Sequence, residues 1–197
     1  MQRRRLAAAG TRAAIIDAVH ALLDALRSST LTLEDVARAA GVTRVTIYNQ
    51  FGSRRALLTA AFADQGRLVG YDRVTAATRL VDPRAALSAT LREVCRAWDT
   101  IPRAIQRVLA LATLDPEIAA VVNRYERGRR AQMATLARRL AAPVGDEAAA
   151  ALLGTLTNPL TYYQFRHGAN AAVAAERLEH VVMTALGLVG RPGVRRS

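Results

Sequence analysis

The chain has no lysine; its 28 basic residues are all arginine. It has one cysteine, Cys95, one tryptophan and only 5% aromatic residues. A lone cysteine excludes an intrachain disulfide, which suits a reducing cytoplasm, the expected location. No stretch of about 18 uninterrupted apolar residues occurs, so no membrane span is expected. The start, MQRRRLAAAG, is basic but has almost no apolar core behind it before Arg12, and is not expected to act as a secretory signal. Strand-like alternation of polar and apolar residues is absent. So are G-x-S-x-G, a phosphate loop and a dinucleotide fingerprint, so neither an enzyme nor a cofactor is expected. The three histidines are scattered. Glu176 and His180, four apart, could form half a metal site, but no second ligand pair accompanies them; a surface ion pair is expected, and no metal.

What remains is alanine-rich. Half the residues are hydrophobic, and small unbranched side chains favour closely packed helices. At 197 residues the chain fits one large domain or two small ones. The net charge of +12 is spread along it: residues 1–60 hold nine arginines against four acids, and the larger part of the excess lies beyond. An all-arginine basic set looks partly like codon bias, and net charge alone decides little about partners.

Periodicity and caps divide the chain. Ile15, Val19, Leu22 and Leu26 give residues 11–27 an amphipathic helical stripe. Thr32 with Asp35 three residues on resembles a capping box, ahead of a short helix with Leu33, Val36, Ala37 and Ala40 on one face. Gly41 stands where a left-handed residue closes a helix. Thr43 caps a third helix with Ile47 and Phe51 inward, and Ser53 starts a long fourth helix to about Thr78. Asp82-Pro83, Thr100-Ile101-Pro102 and Asp115-Pro116, with Asp146 and Asn170, mark helices near 83–98, 102–113, 116–141, 147–167 and 171–189. The first ten residues and the RPGVRRS tail are expected to fray. The expected fold is all-α: an N-terminal three-helix helix-turn-helix head over residues 1–55, a long connecting helix leading into a helical bundle over 56–190, and a flexible tail at 191–197, with about nine helices.

A short helix, a glycine turn and a second short helix with its apolar side inward make a helix-turn-helix, whose second helix fits the DNA major groove. Its outward residues carry chemistry a groove can use. Arg44 can bridge guanine O6 and N7, Asn49 can read adenine, and Val45 can touch a thymine methyl. Thr43, Thr46 and Tyr48 offer hydroxyls to phosphates. Arg54, with the free amides after Ser53, suits another phosphate. The bland alternative, that the helix pair is packing alone, stays open on pattern.

The segment TLEDVARAAGVTRVTIYNQFGSRRALL resembles the N-terminal signature of TetR-family transcriptional regulators. Thr32, Val36, Ala37, Ala40, Gly41, Val42, Thr43, Tyr48, Phe51, Arg54 and Leu57 match it. Val45 departs from a frequent glycine and Arg54 from the usual lysine, which keeps the charge but changes the hydrogen-bond geometry. The match covers about residues 11–62. It implies double-stranded DNA as partner, with Thr32 joining Thr43, Arg44, Val45, Thr46, Tyr48, Asn49 and Arg54 as DNA-binding residues. It also implies a homodimer through the last two helices, and repression of a palindromic operator relieved by a small ligand. The small-residue faces AAAALLGTLT and AAVAA are compatible with such an interface, or with the monomer's own core.

Cys95, Trp98, Ile105, Tyr125, Asn158, Tyr162 and Phe165 are the expected ligand-binding residues, for a mainly apolar effector that would tilt the connecting helix. Pro159 deprives the Thr155 carbonyl of its helical partner and should kink or break its helix. Arg124, Arg127, Arg129 and Arg130 read as a solvated face. Arg3, Arg4 and Arg5 read equally as a minor-groove arm or a solvated one. A rival version keeps the DNA-binding head but has no ligand, the body serving dimerisation or docking a protein partner.

Overall fold

The computed structural model describes residues 2–25 and 30–189, and at 2–6, 102 and 103 the backbone alone. Leu26, the side chains of Arg3, Arg4 and Arg5, and the tail at 191–197 lie outside what is described. Eleven helices and no strand occur among the described residues: α1 (Gln2–Ala25), α2 (Leu33–Ala39), α3 (Arg44–Phe51), α4 (Arg54–Leu68), α5 (Tyr71–Ala77), α6 (Pro83–Thr100), α7 (Pro102–Ala112), α8 (Pro116–Leu140), α9 (Asp146–Leu156), α10 (Pro159–Arg166) and α11 (Ala171–Ala185). No described helix is long and apolar enough to cross a membrane.

The fold class is as expected, and the two additional helices come from breaks. The fourth helix stops at Leu68 because Gly70 takes a left-handed conformation at φ +70°. The left-handed φ is what demands glycine there, since the atoms a Cβ would meet are the mobile ends of Arg73 and Arg96. Pro159 breaks its helix outright. Asn158 becomes the cap of α10, accepting from Thr161 N at 2.9 Å. The Thr155 carbonyl, denied a donor by proline, receives Asn158 Nδ2 at 2.7 Å and Thr161 Oγ1 at 2.9 Å instead. At the other end of the chain, α1 begins at Gln2, well ahead of Thr11 and through residues expected to fray.

The helices form two compact units. The first holds Met1–Leu68 with Ile101–Tyr125, and the second Val69–Thr100 with Glu126–Ser197. The first unit's core gathers Ile15, Val19 and Leu23 of α1, Val36 and Ala37 of α2, Ile47 of α3 and Leu57, Leu58 and Ala61 of α4. Val108 and Leu111 of α7 and Ile118 and Val121 of α8 complete it. The second unit's core is Leu87, Leu91 and Cys95 of α6 with Met133 and Leu136 of α8, Leu153 of α9, Tyr162 of α10 and Leu178 and Val182 of α11.

Caps follow the sequence with two exceptions. Asp82, Asp115 and Asn170 accept from the amides of their first helical turns. Gly145, not Asp146, holds the cap position of α9, and Ile101 caps α7 with no side-chain bond.

Candidate nucleic-acid interface

The turn between α2 and α3 is built by its own backbone. Gly41 at φ +65° lets Val42 N reach Ala37 O at 3.0 Å while Ala40 N bonds Val36 O at 2.9 Å, closing α2. No neighbour crowds Gly41, so the left-handed φ is its whole requirement. Thr32 Oγ1 accepts from Asp35 N at 3.1 Å and donates to Asp35 Oδ2 at 2.5 Å, the reciprocal cap that the spacing announced. The Thr32 bonds, outweighing what burial does to it, hold the Asp35 carboxyl below its ordinary value. Thr43 caps α3, accepting from Thr46 N at 3.1 Å, and its hydroxyl pairs with Thr46 Oγ1 at 2.9 Å.

Within α3 the two faces separate cleanly. Ile47 is 1% exposed and sits in the core, whereas Val45 is 66% and Tyr48 45% exposed, with Arg44 and Asn49 also facing solvent. Phe51, half-buried, is covered by the guanidinium of Arg12, 4.1 Å from the ring centre, and Arg12 Nη1 donates to Gln50 O at 2.8 Å. The C-terminal end of α3 is therefore fastened to α1 by a cation, which leaves its N-terminal half outward. An apolar valine and an exposed tyrosine beside arginine, asparagine and two threonines make a helix face with hydrogen-bond donors, acceptors and one methyl-sized contact. Such a face suits base edges and phosphates.

Arg54 does not join that face. Its Nη1 donates to Asp115 Oδ1 at 3.2 Å and Glu117 Oε2 at 2.7 Å, and its Nη2 to Asp115 Oδ2 at 2.5 Å and the Leu31 carbonyl at 2.8 Å. Burial alone would ease its proton off; the two carboxylates outweigh that and hold it more firmly protonated. The exposed cation on this turn is the next residue, Arg55, which sequence reasoning passed over. The signal was present: Arg54, Leu57, Leu58 and Ala61 fall at i, i+3, i+4 and i+7, the buried stripe of α4.

The side chains expected to bind a ligand are divided between the two units. Ile105 and Tyr125 belong to the first unit, where Tyr125 packs on Phe62 with ring centres 6.1 Å apart. The other five lie in the second unit and are engaged there. Cys95 is fully buried, its thiol pushed up to about 12 by burial and by the charge of Asp99, which leaves it neutral and unreactive. Trp98 Nε1 donates to Thr157 O at 3.1 Å. Asn158 is a helix cap. Tyr162, buried, donates its hydroxyl to Asp99 Oδ1 at 2.7 Å, and Arg166 Nε lies 3.2 Å from the same oxygen.

Phe165 borders an open groove of about 560 Å³ with Gln164, Glu176, Arg177, His180 and Val181. A second groove of about 600 Å³ runs between α5 and α8, but Gln132 and Thr75 on its walls bond to one another at 3.0 Å and Arg139 is spent on the carbonyls of Thr78, Leu80 and Val81.

One residue of the basic run on α8 departs from the solvated face expected of it. Arg124, Arg127 and Arg130 are exposed, but Arg129 is 3% exposed. It donates to the Gly154 carbonyl at 2.7 Å and to Thr157 Oγ1 at 2.5 Å, and pairs with Glu126. The carbonyls freed where Pro159 breaks the helix are thus closed by Arg129 and Trp98. No group of three or more metal-ligating side chains occurs among the described residues; Glu176 and His180 line the same groove, without the ion pair expected of them.

A two-helix reader with a glycine turn, set in a small helical core, defines the class: a helix-turn-helix protein with a helical body. Residues 15–61 match the family model for bacterial regulatory proteins of the tetR family. The chain is 32% identical over 148 residues to the HTH-type transcriptional regulator AlkX of Mycobacterium tuberculosis, a match covering 75% of this chain and 62% of that protein. It is 27% identical over 187 residues to the HTH-type transcriptional regulator BetI of Agrobacterium fabrum, covering 93% of this chain and 83% of that one. The crystal structure of a TetR-like transcriptional regulator from Rhodococcus sp. RHA1 superposes with a TM-score of 0.63 at 16% identity, over 92% of this chain and 97% of that one. Residues 15–61 thus carry the DNA-binding segment of the tetR family of bacterial regulatory proteins, and the remainder shares the fold of TetR-like regulators.

Proposed function

We propose that the protein is a sequence-specific DNA-binding transcriptional regulator working in the cytoplasm as a homodimer, with one α3 in each of two successive major grooves of a palindromic operator. One observation carries the reading: α3 buries Ile47 alone and turns Arg44, Val45, Tyr48 and Asn49 to solvent. The relatives' names, both HTH-type transcriptional regulators, support it. Thr32 and Thr43, both exposed caps, are the phosphate-contacting hydroxyls of this reading, and Arg55 takes the phosphate role expected of Arg54. Dimerisation uses the last two helices, α10 and α11, where Leu160 is 59% and Val181 38% exposed beside the groove that Phe165 borders. The test is selection from random duplexes at low ionic strength. Enrichment of an inverted repeat is expected; failure to retain any duplex would sink the reading.

A second reading concerns the body. Cys95, Trp98, Asn158 and Tyr162 are occupied with one another's neighbourhoods, so the version in which the body dimerises or docks a protein partner, without an effector at those residues, is the better supported. A small apolar molecule that both raised the melting temperature and released the selected duplex would overturn it.

A further inference from the structure

Arg54 sits at the junction of three pieces of chain in the first unit. Its guanidinium reaches the Leu31 carbonyl just before α2, it begins α4, and it is gripped by Asp115 and Glu117 at the start of α8. Asp115 is itself pinned, since Oδ1 accepts from Glu117 N at 3.0 Å and Ile118 N at 3.1 Å. The carboxylate therefore has one orientation, fixed by helix amides, and the planar fork of Arg54 meets it with both terminal nitrogens. The side chains are about one-fifth exposed at Arg54 and Asp115, so water screens the pair only in part. Burial would raise the Asp115 carboxyl, but Arg54 and the two amides together hold it below its ordinary value.

We propose that Asp115 and Glu117 are positioning residues for DNA binding, acting through Arg54 to hold the α2–α3 reader against the α7–α8 corner in the one orientation that fits a groove. The proposal rests on the DNA-binding reading above. It has a distinctive sign. Both residues are acidic, and removing two negative charges from a protein that binds a polyanion should by long-range electrostatics strengthen binding. If the clamp orients the reader, the same removal weakens binding.

The experiment uses the full chain and the duplex recovered by selection with the unaltered protein. Asp115→Asn keeps an oxygen to cap α8, and with Glu117→Gln it removes the charges without removing the side chains. Arg54→Lys keeps the cation but loses the fork. Affinity is measured at several salt concentrations, with helix content and melting temperature recorded beside it. The expected result is a loss of about ten-fold or more for both the double variant and Arg54→Lys, on every sequence alike, with base preference and salt slope unchanged in protein that is still folded. Equal or tighter binding by the folded double variant overturns the proposal. A salt slope reduced by about one in folded Arg54→Gln, which removes the cation, would also overturn it, since Arg54 would then be a phosphate contact. If the unaltered protein selects no duplex, the DNA-binding reading itself has failed.

Discussion

Arg44 and Glu126 show how differently a charge works when it faces solvent and when it is half-enclosed. Arg44 is exposed at the first turn of α3 with no acid spent on it, so its guanidinium is free for a base edge. Arg44→Ala should cost about 1–3 kcal/mol and relax preference at one position per half-site. Binding measured across a set of single-base variants checks this, and a uniform loss on all of them would make Arg44 a phosphate contact only. Glu126 faces inward toward the buried Arg129. Burial would raise its carboxyl, but Arg129 and Arg130 outweigh that and hold it below its ordinary value of 4.5. A carboxyl lowered in the folded state stabilises above its unfolded pKa, and that contribution disappears as pH falls through the folded one. Glu126→Gln should therefore destabilise at pH 7 by about 2 kcal/mol, the scale of a charge-assisted hydrogen bond. The gap from the unaltered protein should close as pH drops below about 4, in denaturant melts repeated across pH. A gap that stayed constant with pH would assign the loss to packing instead.

At the scale of helices, most of the fold was legible because caps and turns are local chemistry. Thr32, Thr43, Asp82, Asp115 and Asn170 each cap the helix that the sequence assigns them. The break at Gly70 was not legible, because Leu58, Phe62, Gln65 and Val69 keep helical step right up to it. What accompanies the break is tertiary: Arg96 of α6 takes the Val69 carbonyl at 2.7 Å where Gly70 turns left-handed. Arg54 and Arg129 depart from expectation for one common reason: each stands in the inward register of its helix, Arg54 half-buried and Arg129 buried four residues before Met133, where a guanidinium by its type belongs at the surface. The expected ligand residues have no spacing that joins them, and they are divided between the two units. Asn158 gives the element-scale prediction. It caps α10 and serves the Thr155 carbonyl, so Asn158→Ala removes a cap worth about 1 kcal/mol and leaves Thr161 Oγ1 as the remaining side-chain donor. A melting temperature lower by about 2–4 °C is expected by calorimetry. No change would mean that Pro159 alone sets the break.

For the whole molecule the deciding quantity is valence. Two readers joined in one dimer bind two half-sites as a single event, and linkage of that kind raises avidity by about 10²–10⁴ over one half-site. A two-fold interface also doubles every substitution placed in it, because the same patch is used from both sides. Val181 on α11 is 38% exposed, next to the α10–α11 groove and not in the core of its own unit, so a charge there should leave the monomer's fold intact. Val181→Asp would set two like charges into the proposed contact, where the nearby Arg177 is already engaged with the carbonyls of Phe165 and Arg166. The expected outcome is a shift from dimer to monomer in sedimentation at micromolar concentration, with helix content unchanged. Affinity for the full palindrome should fall by about the avidity factor, while affinity for an isolated half-site stays the same. A variant that remains dimeric and keeps its palindrome affinity would move the interface off this face. A variant that is monomeric yet binds the palindrome unchanged would mean that each reader acts alone, and the symmetry argument for a palindromic operator would go with it.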